Sequence, residues 1–214
     1  MRNLFNPDNA IMQLITKVVY SAYLNILWFI CCIPVVTIGA STTALFYVTL
    51  KMAKNEEGNI TTAFFCSFKE NFRQSTTVWI ILLAVGIVLG IDGYTLYHLR
   101  FENAFWTVIT AVFIVALLAY AIVLMYIFPL MARFDNTTLA MFKNSIMIGM
   151  RFLFCTVLMA VIYFAMVILV VRLFTPAIVF GMGLCALCCS YLLSNIMALL
   201  EEKSGGEAAA NTEM

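Results

Sequence analysis

Five stretches of this chain, residues 18–50, 78–91, 105–130, 152–171 and 177–200, contain no Asp, Glu, Lys, Arg or His. All charge sits between them. A helix needs ~20 mostly apolar residues to cross a bilayer, with a range of ~17–25. The pattern therefore predicts an all-α, polytopic transmembrane helical bundle. It also leaves the interior of that bundle without the ionisable groups that acid–base catalysis or ion coupling require.

Composition agrees. The hydrophobic fraction is 64%, against ~45–50% in soluble domains. Charged residues make up 11%, less than half of the usual ~25%. A net charge of +1 argues against nucleic acid as a partner, which calls for a concentrated basic face. The length of 214 residues accommodates one membrane domain, read as residues 1–203. The remaining residues, 204–214, are rich in Ser, Gly, Ala and Glu and read as a disordered cytoplasmic tail.

Four of the apolar runs make one span each. Residues 18–50 are too long for one ordinary helix and short for two. Pro34-Val35-Val36-Thr37-Ile38-Gly39 lies near the middle of that run. Proline breaks the helical ladder and glycine permits a turn, so a tight hairpin of two short helices is expected. Lys17 and Lys51 would snorkel to the interface at its base.

Basic residues decide the count. With the N-terminus inside and the hairpin counted as two spans, Arg2, Lys17, Lys51, Lys54, Lys69, Arg73, Arg133, Lys143, Arg151 and Lys203 lie inside. Only Arg100 and Arg172 lie outside. A single first span gives eight against four at best. The positive-inside rule thus favours about six spans with both termini cytoplasmic. Trp79 and Trp106 begin their spans at opposite faces, as aromatic belt residues do.

A weak internal repeat is visible. Thr61-Thr62 leads to Phe68-Lys69, and Thr137-Thr138 leads to Phe142-Lys143. Each follows Asn or Asp (Asn59; Asp135 and Asn136), which are favourable helix N-caps. Each precedes a basic residue, Arg73 or Arg151, and then a span. Both read as short amphipathic helices at the cytoplasmic interface.

Candidate functional residues are few. Asn25, Ser41, Ser190, Ser194 and Asn195 are polar groups within apolar runs. They either tie helices together or, with Thr37, line a polar path of which Asn25, Ser41 and Asn195 are the core. Gly86 and Gly90, spaced by four, and Gly181 with Cys185 form small-residue ridges that let helices pack closely within one chain or between two copies. Cys185-x-x-Cys188-Cys189 has a metal-like spacing but no companion His or Cys pair, so packing is the default. Asp92, His98, Arg100 and Glu102 surround one outer loop without the spacing of a metal or acid–base site. No cofactor and no metal site are expected, and no catalytic motif is present.

Asn25-x-x-Trp28, Pro34-Val35-Val36-Thr37-Ile38-Gly39, Ala44-Leu45-Phe46 and Phe68-Lys69-Glu70-Asn71-Phe72-Arg73-Gln74 together resemble the YesL family of bacterial integral membrane proteins, a domain of unknown function. The likeness covers roughly residues 10 to 95. It implies a bacterial plasma-membrane protein whose relatives are often encoded beside ABC-type importers and glycan-degrading enzymes. The function expected from it is a non-enzymatic accessory or regulatory role in ABC-type carbohydrate (oligosaccharide) uptake. Permease subunits of the importer, or a second copy of the chain, would be its partners. Pro34, Thr37 and Gly39 would form a functional turn, and Lys69, Asn71 and Arg73 a cytoplasmic interface. The alternative is a small uncharged-solute permease acting alone, for which Asn25, Thr37, Ser41 and Asn195 should converge on one cavity.

Overall fold

The computed structural model describes residues 10–56, 58–98, 104–173 and 178–212. The elements are α1 (Ala10–Cys31), α2 (Ile38–Ala53), α3 (Ile60–His98), α4 (Ala104–Met131), α5 (Thr138–Arg151), α6 (Leu153–Ile168) and α7 (Ile178–Thr212). Six helical stretches are long and apolar enough to cross a membrane: Met12–Cys31, Val35–Ala53, Ile60–His98, Trp106–Met131, Leu153–Arg172 and Gly181–Ala198. The all-α membrane bundle expected from the sequence is thus the fold. Residues 2, 3–9, 100 and 102 lie outside the described part, so the outer-loop residues Arg100 and Glu102 are not placed.

α2 is the centre of the bundle. Twelve of its sixteen residues are buried, whereas α1, α3, α4 and α6 turn long apolar faces outward. Lipid is the natural cover for such faces, because a water-exposed apolar surface of that size would drive aggregation. Around α2 stand α1, α3, α4 and α7.

The α1–α2 hairpin forms as expected, but its parts act differently. A single 3-10 turn at Val35–Thr37 follows Pro34. The Thr37 hydroxyl closes the turn onto the carbonyls of Cys31 (2.5 Å) and Pro34 (2.7 Å). No glycine has a positive φ among the described residues. Gly39 lies inside the first turn of α2, so its role is not to permit a turn. A Cβ there would sit 2.5 Å from the Ser75 carbonyl oxygen and 2.7 Å from Trp79 Cβ. Gly39 therefore lets α3 approach the backbone of α2.

The base of the hairpin departs from the snorkelling picture. Lys17 is only 6% exposed. Its ammonium donates to Asn55 Oδ1 (2.5 Å) and to the Tyr191 hydroxyl (2.8 Å). Asn55 has φ 56° and ends α2 in a Schellman arrangement, with Asn55 N–H on Met52 O and Glu56 N–H on Lys51 O. Asparagine tolerates that left-handed backbone better than other residues with a Cβ. One residue thus stops α2 and holds α1, while Lys17 reaches on to α7.

The two halves of the weak repeat diverge. Asn59 caps the first, with Thr62 N–H on Asn59 Oδ1 at 3.4 Å. That amphipathic segment is not a separate helix, because α3 runs unbroken for 39 residues. In the second half neither Asp135 nor Asn136 caps the helix; Thr137 holds the N-cap position and makes no side-chain cap bond. Here the amphipathic helix α5 is separate. Phe152, at φ −112° and ψ 51°, breaks it from α6. The Thr156 hydroxyl donates across the break to Gly149 O (2.9 Å) and pairs with the Tyr126 hydroxyl (2.9 Å). At the far end α7 continues through Thr212, where composition alone reads a disordered tail. Ala208, Ala209 and Ala210 are the strongest helix formers available.

Candidate functional site

Three hydrogen bonds radiate from α2 to three different helices. Trp28 Nε1–H donates to Thr42 Oγ1 (3.1 Å), tying α1. Thr43 and Ser75 hydroxyls pair at 3.0 Å, tying α3. Thr49 and Ser190 hydroxyls pair at 2.8 Å, tying α7. Each threonine also returns a bond to its own helix, to the carbonyls of Ile38, Gly39 and Leu45. Threonine suits this task because its hydroxyl can satisfy itself locally and still accept from a neighbour. Of these residues only Trp28 and Ser190 stand out from the sequence; Thr42, Thr43, Thr49 and Ser75 read there as ordinary residues.

The ties are individually modest. Interhelical side-chain bonds in membranes average about 0.6 kcal/mol and reach ~1.7. A double-mutant cycle of Thr49→Val with Ser190→Ala should return a coupling of about that average, measured by unfolding in mixed detergent micelles. A coupling of zero would mean the pair is not formed in the membrane.

The residues proposed for a polar path do not converge. Asn25 is buried and its Oδ1 accepts the Gly183 backbone N–H at 2.9 Å. Ser41 is fully enclosed; its hydroxyl has the Cys32 thiol beside it and no hydrogen-bond partner of good geometry. Asn195 is exposed, on the outside of α7. Thr37 is occupied in the hairpin turn, and Ser194 bonds the Tyr191 carbonyl of its own helix.

The small-residue positions likewise separate. Gly86 makes room for Tyr120, whose oxygen would lie 2.6 Å from an added Cβ and whose hydroxyl donates to Leu82 O at 3.0 Å. Among the described residues nothing comes within 4 Å of a Cβ at Gly90. Gly181 accommodates the thioether end of Met166, and Cys185 is buried. Gly183, not singled out in the sequence, makes the closest approach to the backbone of another helix among the described glycines. A Cβ there would overlap the Ser21 carbonyl oxygen, which brings the α1 and α7 backbones together.

On the proposed cytoplasmic surface, Lys69 and Arg73 are exposed, with Phe65 and Phe72 exposed between and beside them. Asn71 instead turns back onto its helix, bonding Ser67 O at 3.1 Å. The register set by Thr43 and Ser75 brings this segment alongside the middle of α2. Trp79 clamps the hairpin tip, donating from Nε1 to Val35 O at 2.8 Å. That bond sets Trp79 level with the hairpin tip, which the six-span reading puts at the outer face, and not at the inner face where the belt reading has it.

One chamber lies where all six spans meet. It measures about 410 Å³ and is lined by Trp28, Ile38, Thr42, Phe46, Trp79, Ala121, Leu124, Met125, Phe128, Tyr163 and Met182. A groove of about 390 Å³ between α1, α6 and α7 shares Trp28, Tyr163 and Met182 with it. Two further hollows lie elsewhere, one of about 410 Å³ beside Asp92 and one of about 200 Å³ beside Asn144. None of the four is lined by Asn25, Thr37, Ser41 or Asn195. His98 packs edge-on against Tyr94 at 4.4 Å. Among the described residues no three His, Cys, Asp or Glu side chains are grouped to hold a metal ion.

Residues 21–93 match the model of a family described as "Protein of unknown function, DUF624". That stretch contains the hairpin turn, α2 with its three tying threonines, and most of α3. The chain is 28% identical over 139 residues to the Uncharacterized protein YesL of Bacillus subtilis (strain 168), covering 63% of this chain and 64% of YesL. It is 26% identical over 197 residues to the Uncharacterized protein YteU of the same organism, covering 86% of this chain and 83% of YteU. The match to YesL therefore spans just under two thirds of that protein's length. No solved structure matches the chain. The resemblance to the YesL family read from the residues is borne out.

Proposed function

We propose that this YesL-like chain is a non-enzymatic accessory or regulatory component of ABC-type carbohydrate uptake, seated in the bacterial plasma membrane with both termini cytoplasmic. The observation that carries the reading is the outward ridge of α3. Phe65, Lys69, Phe72 and Arg73 are exposed beside the buried centre of the bundle. Apolar and basic side chains alternating on one helix face suit a juxtamembrane protein partner. The polar groups inside the bundle, by contrast, are mostly engaged in holding helices together. That distribution favours a partner-binding protein over the permease alternative, whose polar path would need those groups free and facing one cavity.

The importer enters through the family resemblance, whose members are often encoded beside such transporters. The test is affinity purification from native membranes in mild detergent, followed by mass spectrometry. Stoichiometric recovery of importer permease subunits is expected, together with their loss from a Lys69→Glu, Arg73→Glu variant that still migrates as a single monodisperse species. Recovery of the chain alone from wild-type membranes refutes the reading.

A further inference from the structure

We infer that the chamber and the adjoining groove form a binding site for one acyl chain of a membrane phospholipid, which enters sideways from the bilayer. Trp28, Tyr163 and Met182 are common to both cavities, so the two spaces adjoin at those side chains, and the chamber also reaches the outer surface at the exposed Ala121. The groove is bounded on its outer side by Phe29 (58% exposed), Val167 (58%) and Val171 (74%). Those residues belong to the surface that lipid covers, and the cavity system is continuous with it.

The lining selects the ligand class. Apart from the Thr42 and Tyr163 hydroxyls, the Trp28 and Trp79 indoles and the Cys32 and Cys185 thiols, every lining side chain in both spaces is hydrocarbon or thioether. Thr42 and the two indoles are already engaged, Trp28 with Thr42 and Trp79 with Val35 O. A sugar would bury hydroxyls here with almost nothing to bond them, which is strongly unfavourable. Water faces the same difficulty: an apolar cavity of about 150 Å³ stays dry and takes up benzene instead. A void larger than that forfeits the dispersion contacts of its whole lining. In a bilayer the material at hand to restore them is an acyl chain. Where the spaces adjoin, Met182 is unbranched and adaptable, while the Thr42 bond holds the Trp28 indole as a fixed wall.

The experiment uses the full chain in liposomes of phosphatidylcholine and phosphatidylglycerol carrying a phospholipid with a diazirine in mid-chain. After photolysis the adducts are mapped by peptide mass spectrometry. Phe46, Leu124 and Met125 line only the chamber and are expected to be labelled above the outward residues Val115 and Leu118. Ala121→Phe, which narrows the chamber and not the groove, should return Phe46, Leu124 and Met125 to background and leave Phe29 and Val167 labelled. Labelling of the folded wild type confined to groove and outward residues overturns the inference. So does an Ala121→Phe protein that keeps its chamber adducts.

Discussion

Gly39→Ala is expected to destabilise the bundle by about 2 kcal/mol, although alanine is the better helix former by ~1 kcal/mol. The first neighbour a Cβ would meet is the Ser75 carbonyl oxygen at 2.5 Å, followed by Trp79 Cβ at 2.7 Å. Neither can rotate away, because one is backbone and the other is fixed to it. The helices must move apart instead, which strains the Thr43–Ser75 bond and the Trp79 clamp on the hairpin tip together. Gly90→Ala supplies the contrast. It lies in α3 with nothing within 4 Å among the described residues, so propensity alone acts and the protein should be unchanged or slightly more stable. Unfolding in mixed micelles, monitored by Trp fluorescence, reads both. Equal effects at Gly39 and Gly90 would mean that α2 and α3 are not in this register.

Gly183→Leu is expected to be more damaging still, by about 3 kcal/mol. The added Cβ overlaps the Ser21 carbonyl oxygen, with Asn25 Cβ and Ser21 Oγ each at 3.1 Å. The contact is backbone against backbone at the seam of α1 and α7. The Gly183 N–H on Asn25 and the Lys17 bond to Tyr191 lie along the same seam. Opening it lengthens both bonds at once, on top of the overlap itself. Asn25→Ala removes that bond but leaves the close approach at Gly183 in place, and should cost less than Gly183→Leu. If the order is reversed, the hydrogen bond and not the close approach holds the seam.

The spans and the hairpin were legible because lipid imposes a one-dimensional rule: charge is excluded from crossing segments, whatever their neighbours. The interior ties were not legible for the opposite reason. Thr42, Thr43 and Thr49 are chemically indistinguishable from other span threonines until α1, α3 and α7 are placed around them. Gly39 was found for the wrong reason, since a glycine after Pro reads as a turn residue when its actual task is to face another helix. Gly183 was passed over beside Gly181, because a ridge in one helix carries no information about which of its members meets a backbone. Lys17, read as the boundary of the first span, lies inside the stretch Met12–Cys31, and its burial depends on Asn55 and Tyr191, which are distant in sequence.

The unbroken course of α3 has a mechanical consequence. Trp79, held to the hairpin tip, divides Ile60–His98 into two arms of equal length, each about 29 Å at 1.5 Å per residue. A stiff rod pinned at its midpoint is a seesaw. A tilt of about 10° carries either end some 5 Å, in opposite senses. Pressure on the arm bearing Lys69 and Phe72 is therefore felt at the arm bearing Asp92 and His98, with no hinge between them to absorb it. The α5–α6 pair, jointed at Phe152, lacks that property and yields where α3 transmits.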